Sequence, residues 1–194
     1  MEKGSRQELE QRLALSRPED TLRGFFFKGA LAAVRGLGDE VALNRCIEAA
    51  GGRRFMTFFC YPVGSLTRLL YAAAWALSER HGGFDAAMRY LGCQVAPEYL
   101  ESGAGRVLVM MAGGEPRRML DGFPSAYRTS IRHGECLVRW IGPANAIVVL
   151  KGSTLPAEYI EGAVQGMFEA TKVADVKTTG RQVSLSETEV EVSW

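Results

Sequence analysis

Histidine is almost absent from this chain: only His81 and His133 occur in 194 residues. The four cysteines, Cys46, Cys60, Cys93 and Cys136, lie far apart and none sits in a Cys-x-x-Cys pair. A zinc centre needs several such ligands close together, so no metal site is expected. An excess of one charge is also missing, with 23 basic and 22 acidic residues and a formal net charge of +1. That balance gives no electrostatic case for nucleic acid or an anionic membrane. Arg53-Arg54 and Arg117-Arg118 are isolated basic pairs of the kind that solvated surfaces carry. Apolar runs such as Leu69 to Leu77 are too short to span a bilayer. Residues 1–20 are charged and lack an apolar core, so no signal peptide is expected. Free thiols without a leader point to a reducing cytoplasm. Ser65, Ser78, Ser102 and Ser125 have no Gly-x-Ser-x-Gly setting, which argues against a serine hydrolase. Gly103-Ala104-Gly105-Arg106 follows no strand, so it is not a dinucleotide loop. No catalytic motif is left.

What the chain does have is a hydrophobic fraction of 47%, ample for one core of ordinary size. Its clearest pattern is at the end. Glu135 to Ile141 is β-rich, Gly142-Pro143-Ala144-Asn145 reads as a turn, and Ala146 to Leu150 is a second short apolar run. Thr154 is expected to cap a helix opened by Leu155 and Pro156. Ile160, Ala163, Val164, Met167 and Phe168 then recur at the spacing of one buried helical face. Glu187 to Trp194 alternates strictly, with Thr188, Val190, Val192 and Trp194 on one side and glutamates and a serine on the other. One covered and one wet face is the signature of an antiparallel sheet. Trp194 is expected to pack on the helix bearing Met167 and Phe168.

Upstream, the sequence reads as helices separated by glycines and prolines. Residues 1–17 are polar and read as a tail or a short helix; residues 18–194 read as a single domain. Pro18-Glu19-Asp20-Thr21 looks like a helix start, with Phe25, Phe26 and Val34 on an apolar helix beyond it. Further helices are expected from Asp39 to Ala50, from about Pro62 to Arg80, from Phe84 to Leu91, and from Pro97 onward. Val107 to Met111 is apolar on every side and is expected to be buried. Phe123-Pro124 is expected to interrupt the helix opened by Glu115-Pro116, and His133 beside Gly134 reads as a surface turn. The fold class is therefore α+β: six or seven helices, then a four-stranded antiparallel sheet with one inserted helix.

Three stretches carry a family resemblance. Gly24-Phe25-Phe26-Phe27-Lys28-Gly29-Ala30-Leu31, Phe58-Phe59-Cys60-Tyr61-Pro62, and Leu155-Pro156 with Ile160-Glu161-Gly162 resemble the opening helix, the Tyr-Pro turn and the closing helix of the haem–nitric oxide/oxygen-binding (H-NOX) domain. The resemblance covers residues 22–194. The chain is similar, more closely still, to an uncharacterised family found mainly in myxobacteria. The H-NOX resemblance implies a sensor fold with a cavity between helices and sheet. It also implies two haem-holding features that this sequence lacks. Tyr127 stands where that family has its iron-ligating histidine, and Val148-Val149-Leu150-Lys151-Gly152 stands where it has a propionate-binding Tyr-x-Ser-x-Arg. The expectation is a non-enzymatic cytoplasmic sensor or adaptor without haem. It would bind a protein partner and offer room for an apolar small molecule. The alternative is a haem-based gas or redox sensor with Tyr127 or His133 as substituted axial ligand. Phe26, Phe27, Phe59, Met110, Met111 and Tyr127 are the residues expected to fill or line the pocket. No cofactor, nucleic-acid partner or membrane span is expected.

Overall fold

The computed structural model describes residues 2–52, 54–173 and 175–194; Arg53, half of one basic pair, lies outside them. Helix α1 (Arg6–Leu15) starts at Ser5, whose side chain accepts from the Glu8 amide. Strand β1 (Thr21–Arg23) follows and pairs antiparallel with β2 (Cys60–Pro62). Pro18–Thr21 therefore does not open a helix. Thr21 is already in the strand, and the apolar helix α2 begins later, at Phe25, and runs to Arg35. Helix α3 (Glu40–Ala49) is capped by the Asp39 carboxylate, which takes the amides of Val41 and Ala42. Helix α4 (Val63–His81) ends in left-handed Gly82.

The chain continues through α5 (Phe84–Cys93), α6 (Val95–Leu100), α7 (Gly103–Ala112) and α8 (Pro116–Ser130). Eight helices thus precede the four-stranded sheet among the described residues: α1 in the segment read as a tail or short helix, and seven more, the upper of the six or seven expected. Pro124 sits inside α8 instead of breaking it. Its fixed φ is compatible with a helix, and the lost hydrogen bond to the Leu120 carbonyl lies in a stretch anchored by buried Leu120, Phe123 and Tyr127.

The sheet has the order β3 (Glu135–Gly142), β4 (Asn145–Lys151), β6 (Glu187–Ser193), β5 (Lys177–Ser184), antiparallel throughout, with α9 (Ala157–Ala170) inserted between β4 and β5. Register aligns Cys136, Leu150, Thr188 and Gln182 in one cross-strand row, and Val138, Val148, Val190 and Gly180 in the next. Both rows face the helices. On the other face Glu189 bridges Arg139 and Arg181, an ion-pair strip in water. Trp194 extends the apolar row, but its ring meets Trp140 edge-to-face at 6.0 Å, while Phe168 faces Phe123 instead. Arg117 stacks over the same Trp140 at 4.2 Å.

Thr154 is not the helix cap. Pro156 occupies that position, and the free amide of Ala157 is taken by the Gln182 side chain at 3.0 Å. A residue on β5 thus caps α9, a non-local arrangement that a sequence window does not reveal. On its opposite side α9 lies against α5 at backbone contact. A Cβ on Gly162 would stand 1.9 Å from the Arg89 carbonyl oxygen, and one on Gly92 would stand 2.1 Å from that of Tyr159. Among the described residues no helix is long and apolar enough to cross a membrane.

Candidate functional site: an apolar cavity between helices and sheet

A cavity of about 130 Å³ lies between α2, α6, α8 and α9 on one side and β3 and β4 on the other. Each element sends in the residues its own periodicity turns inward. From α9 come Tyr159, Ile160, Ala163, Val164 and Met167; from the sheet, Cys136, Val148 and Leu150; from α8, Phe123, Ala126, Tyr127 and Ser130. Phe25 and Phe26 enter from α2, Val95, Ala96 and Tyr99 from α6. No charged side chain lines it. Its walls are buried apart from the half-buried Ala126 and Ala163.

Of the expected pocket residues, Phe26 and Tyr127 meet at this cavity, and the other four do not. Three consecutive phenylalanines on a helix must point in three directions, about 100° apart. Phe25 and Phe26 reach the cavity; Phe27 turns away and stacks on Phe55 at 4.0 Å between centroids. Phe55 and Tyr61 complete that aromatic cluster, with the Tyr61 hydroxyl accepting from the Met56 amide. Phe59 is left outside, 64% exposed, although its carbonyl is held by the Gly24 amide. Met110 and Met111 are 75% and 69% exposed, which corrects the expectation that Val107 to Met111 is buried. Helix α7 buries only the stripe of Gly105, Leu108 and Ala112, and Val107, Met110 and Met111 form the opposite face.

Tyr127 is buried, and its hydroxyl donates to the His133 carbonyl at 3.0 Å. Burial holds its proton well above the ordinary phenol range. His133 is not a surface turn residue: both ring nitrogens are buried and have no hydrogen-bond partner among the described residues. Burial depresses its proton affinity, against the pull of the Asp20 carboxylate. The Cys136 thiol at the cavity wall is pushed up to about 12 by burial and stays protonated.

Two wall residues escaped the sequence reading. The hydroxyls of Tyr99 and Tyr159 are buried without a hydrogen-bond partner among the described residues. A tyrosine on an apolar helical face looks the same in sequence whether or not its hydroxyl finds a partner. The one available signal was that Tyr159 and Ala163 are four apart on α9, one step around from Ile160 and Val164.

Helices in front of a four-stranded antiparallel sheet, with a single helix inserted between its strand pairs, define the H-NOX fold. A doubly substituted Tt H-NOX aligns over 89% of this chain and 95% of its own, with a TM-score of 0.64 and 12% identity. An H-NOX protein from S. oneidensis, solved in the Fe(II)NO ligation state, aligns over 89% and 98%, with a TM-score of 0.64 and 8% identity. An Fe(II) unliganded H-NOX protein from K. algicida aligns over 89% and 96%, with a TM-score of 0.59 and 10% identity. At these identities the likeness is one of fold. The chain itself belongs to the family described as Protein of unknown function (DUF2378), whose model matches residues 15–194. No curated protein matches it in sequence.

Proposed function

We propose that this protein is a haem-free, non-enzymatic sensor or adaptor of the cytoplasm, which holds a small apolar molecule in the cavity and passes its state to a protein partner. The observation that carries this reading is the cavity itself: apolar, uncharged, and walled by Phe26, Tyr127 and the inner face of α9. Its residues do not fit haem. A void of about 130 Å³ is on the scale of one that holds benzene, far below a macrocycle. No wall residue carries a positive charge to meet propionates. The Tyr127 hydroxyl is already engaged, donating to the His133 carbonyl. His133 is absent from the cavity wall.

Support for a partner comes from the outer surface. Val107, Met110 and Met111 make an exposed apolar stripe on α7, and methionine suits adaptable contacts. Residues 18–194 act as the sensing unit, with α1 clamped to it. The test is an absorption spectrum of protein expressed with a haem precursor, together with mass spectrometry of molecules released on denaturation. A spectrum without a Soret band and a released small molecule are expected. A Soret band at near-full occupancy refutes the proposal.

A further inference from the structure

A second concave feature lies on the outside of the molecule. A cleft of about 730 Å³ opens between α2, the end of α3 and the loop that leads into β2. Leu31 and Phe55, 5% and 7% exposed, give it an apolar floor. Met56 and Phe58, 52% and 72% exposed, stand on its rim. Large apolar side chains grouped at a surface mark a contact site, whereas single ones are ordinary. These two cannot retreat, because the loop that bears them is pinned. Phe55 stacks on Phe27, and the Met56 amide donates to the Tyr61 hydroxyl at 2.9 Å. The Arg23 guanidinium donates to the Phe58 carbonyl, and the Gly24 amide to the Phe59 carbonyl at 2.9 Å. A Cβ on Gly24 would stand 2.1 Å from the Met56 carbonyl oxygen, so the loop is pressed against the start of α2. The fold displays Met56 and Phe58, and binding there requires little further ordering of the loop.

The charge of the cleft is one-sided. Lys28, Arg35 and Arg54 line it, and among the described residues no carboxylate does. Lys28 is matched by Glu98 at 2.7 Å. Arg35 and Arg54 are exposed and make no ion pair among the described residues. In a chain of 23 basic and 22 acidic residues this is a local excess. A complementary occupant brings negative charge together with an apolar anchor. The spacing says how the two are arranged. Lys28, Leu31 and Arg35 stand at i, i+3 and i+7 on one face of α2, with the cations about 10 Å apart along its axis. A helix laid along α2 meets that pattern with acidic residues at i and i+7 and apolar residues between them. Two other polyanions fit less well. A bilayer is flat and does not reach the floor of a cleft. A nucleic acid carries closely spaced phosphates and is met by a row of cations, not by two unpaired ones. We infer that the cleft is a docking site for an acidic amphipathic helix of a protein partner. This rests on the reading of the protein as an adaptor, and it gives the partner a surface and a chemistry distinct from the stripe on α7.

The inference is tested on the full chain by fluorescence anisotropy with a labelled synthetic peptide. The peptide is the heptad Glu-Ala-Ala-Leu-Leu-Ala-Ala, repeated and closed by a glutamate; a control peptide has lysine for every glutamate. The acidic peptide is expected to bind, and the basic one at least about a hundredfold more weakly, because its charges meet cations. Arg35→Glu and Arg54→Glu should each weaken the acidic peptide about tenfold, and Phe58→Ser about tenfold through the lost anchor. Added salt should weaken binding to the parent, and less so to the arginine variants. All three positions are exposed, so thermal melts of the free variants should match the parent. Equal binding of the two peptides overturns the inference. So does full affinity in both arginine variants, or no binding of the acidic peptide to the parent. Binding lost in Met110→Glu with Met111→Glu, yet kept in the cleft variants, seats the partner on α7: the adaptor reading stands and this inference falls. Parent protein that sediments with phosphatidylserine vesicles, or binds oligothymidylate, more tightly than the peptide and through Arg35 and Phe58 also overturns it. The haem-free cavity is judged separately, by the spectrum and the released molecule.

Discussion

Replacing Arg12 by alanine should destabilise the protein more than any other change on the N-terminal helix. Arg12 is 2% exposed, and its guanidinium makes five hydrogen bonds. Nε and Nη2 both donate to Glu8 Oε1, at 3.0 and 2.7 Å. Nε also reaches the Tyr71 hydroxyl at 3.1 Å, Nη1 the Thr154 carbonyl at 2.9 Å, and Nη2 Gln182 Oε1 at 2.9 Å. One side chain on α1 thus ties together α4, the turn before α9, and the same glutamine that caps α9. Arg12→Ala leaves the Glu8 carboxylate, 5% exposed, without its counter-charge, and strips the Thr154 carbonyl of that donor. Breaking a buried pair from one side costs about 3–5 kcal/mol. At about 2–4 °C per kcal/mol for a chain of this size, the melting temperature should fall by about 6–20 °C. Glu8→Ala should cost less, because Arg12 keeps Tyr71, Thr154 and Gln182 as partners. The double variant should cost less than the sum, since the stranded carboxylate is gone. Urea melts of the four proteins give the coupling. If Arg12→Ala stays within 1 kcal/mol of the parent, α1 is not clamped to the domain and the network carries little stability.

Four further results are expected. Gly162→Ala places a methyl group against the Arg89 carbonyl, where neither backbone can give way, so it should cost about 3 kcal/mol or more, or prevent folding, as read by denaturant melts. Tyr127→Phe should cost about 1 kcal/mol through its lost hydrogen bond to His133, and Tyr127→Ala about 3 kcal/mol or more; an alanine variant as stable as the parent would place Tyr127 outside the core. His133 should make the protein acid-sensitive. Its proton affinity is depressed in the fold, so the unfolded chain takes up the proton first, near 6.5, and stability present above that pH is lost as pH falls toward the folded value. His133→Phe should flatten the urea midpoint between pH 7 and 5, and an unchanged slope assigns the effect elsewhere. Cys46 and Cys93, both pushed up to about 11, and Cys136, up to about 12, act in the opposite range: the unfolded thiols ionise first, so stability should decline as pH rises above about 9.

How much of this could be read from the sequence depended on how far each feature reaches along the chain. The alternation of β6 and the inward face of α9 were legible because period and partner are both local to the element. Tyr127 was found only through the resemblance of its segment to a ligand position. Phe26 was found, but Phe27 beside it turns the other way, because the sequence does not say which third of α2 meets the cavity. Met110 and Met111 misled for a related reason: five apolar residues in a row have no period, so nothing marks the stripe that α8 covers. Arg12 was invisible. Its partners Tyr71, Thr154 and Gln182 lie 59, 142 and 170 residues away, and a polar segment with one buried arginine reads like a polar segment with none.

The same long-range contacts explain why a void survives in a close-packed interior. At about 24 cal/mol per Å³, leaving a space of about 130 Å³ unfilled would cost about 3 kcal/mol, which collapse of the walls would recover. Collapse requires α9 to approach the sheet or α2 to approach α9. On one side α9 already touches α5 backbone to backbone at Gly92, Gly162 and Gly166. On the other it rests on β5, where a Cβ on Gly180 would stand 3.0 Å from the Ala157 carbonyl and as close to the Glu161 side chain. Glu161 in turn grips Arg89 through both oxygens, at 2.8 and 3.1 Å, fixing the angle between α5 and α9. The N-terminal end of α9 is held by Gln182, and Gln182 by Arg12. Helix α9 is therefore clamped between two surfaces that are already at contact, and its cavity-facing side cannot move to fill the space. Larger side chains could have done so, yet Ala96, Ala126 and Ala163 stand on the wall. A rigid frame around small residues keeps the space open.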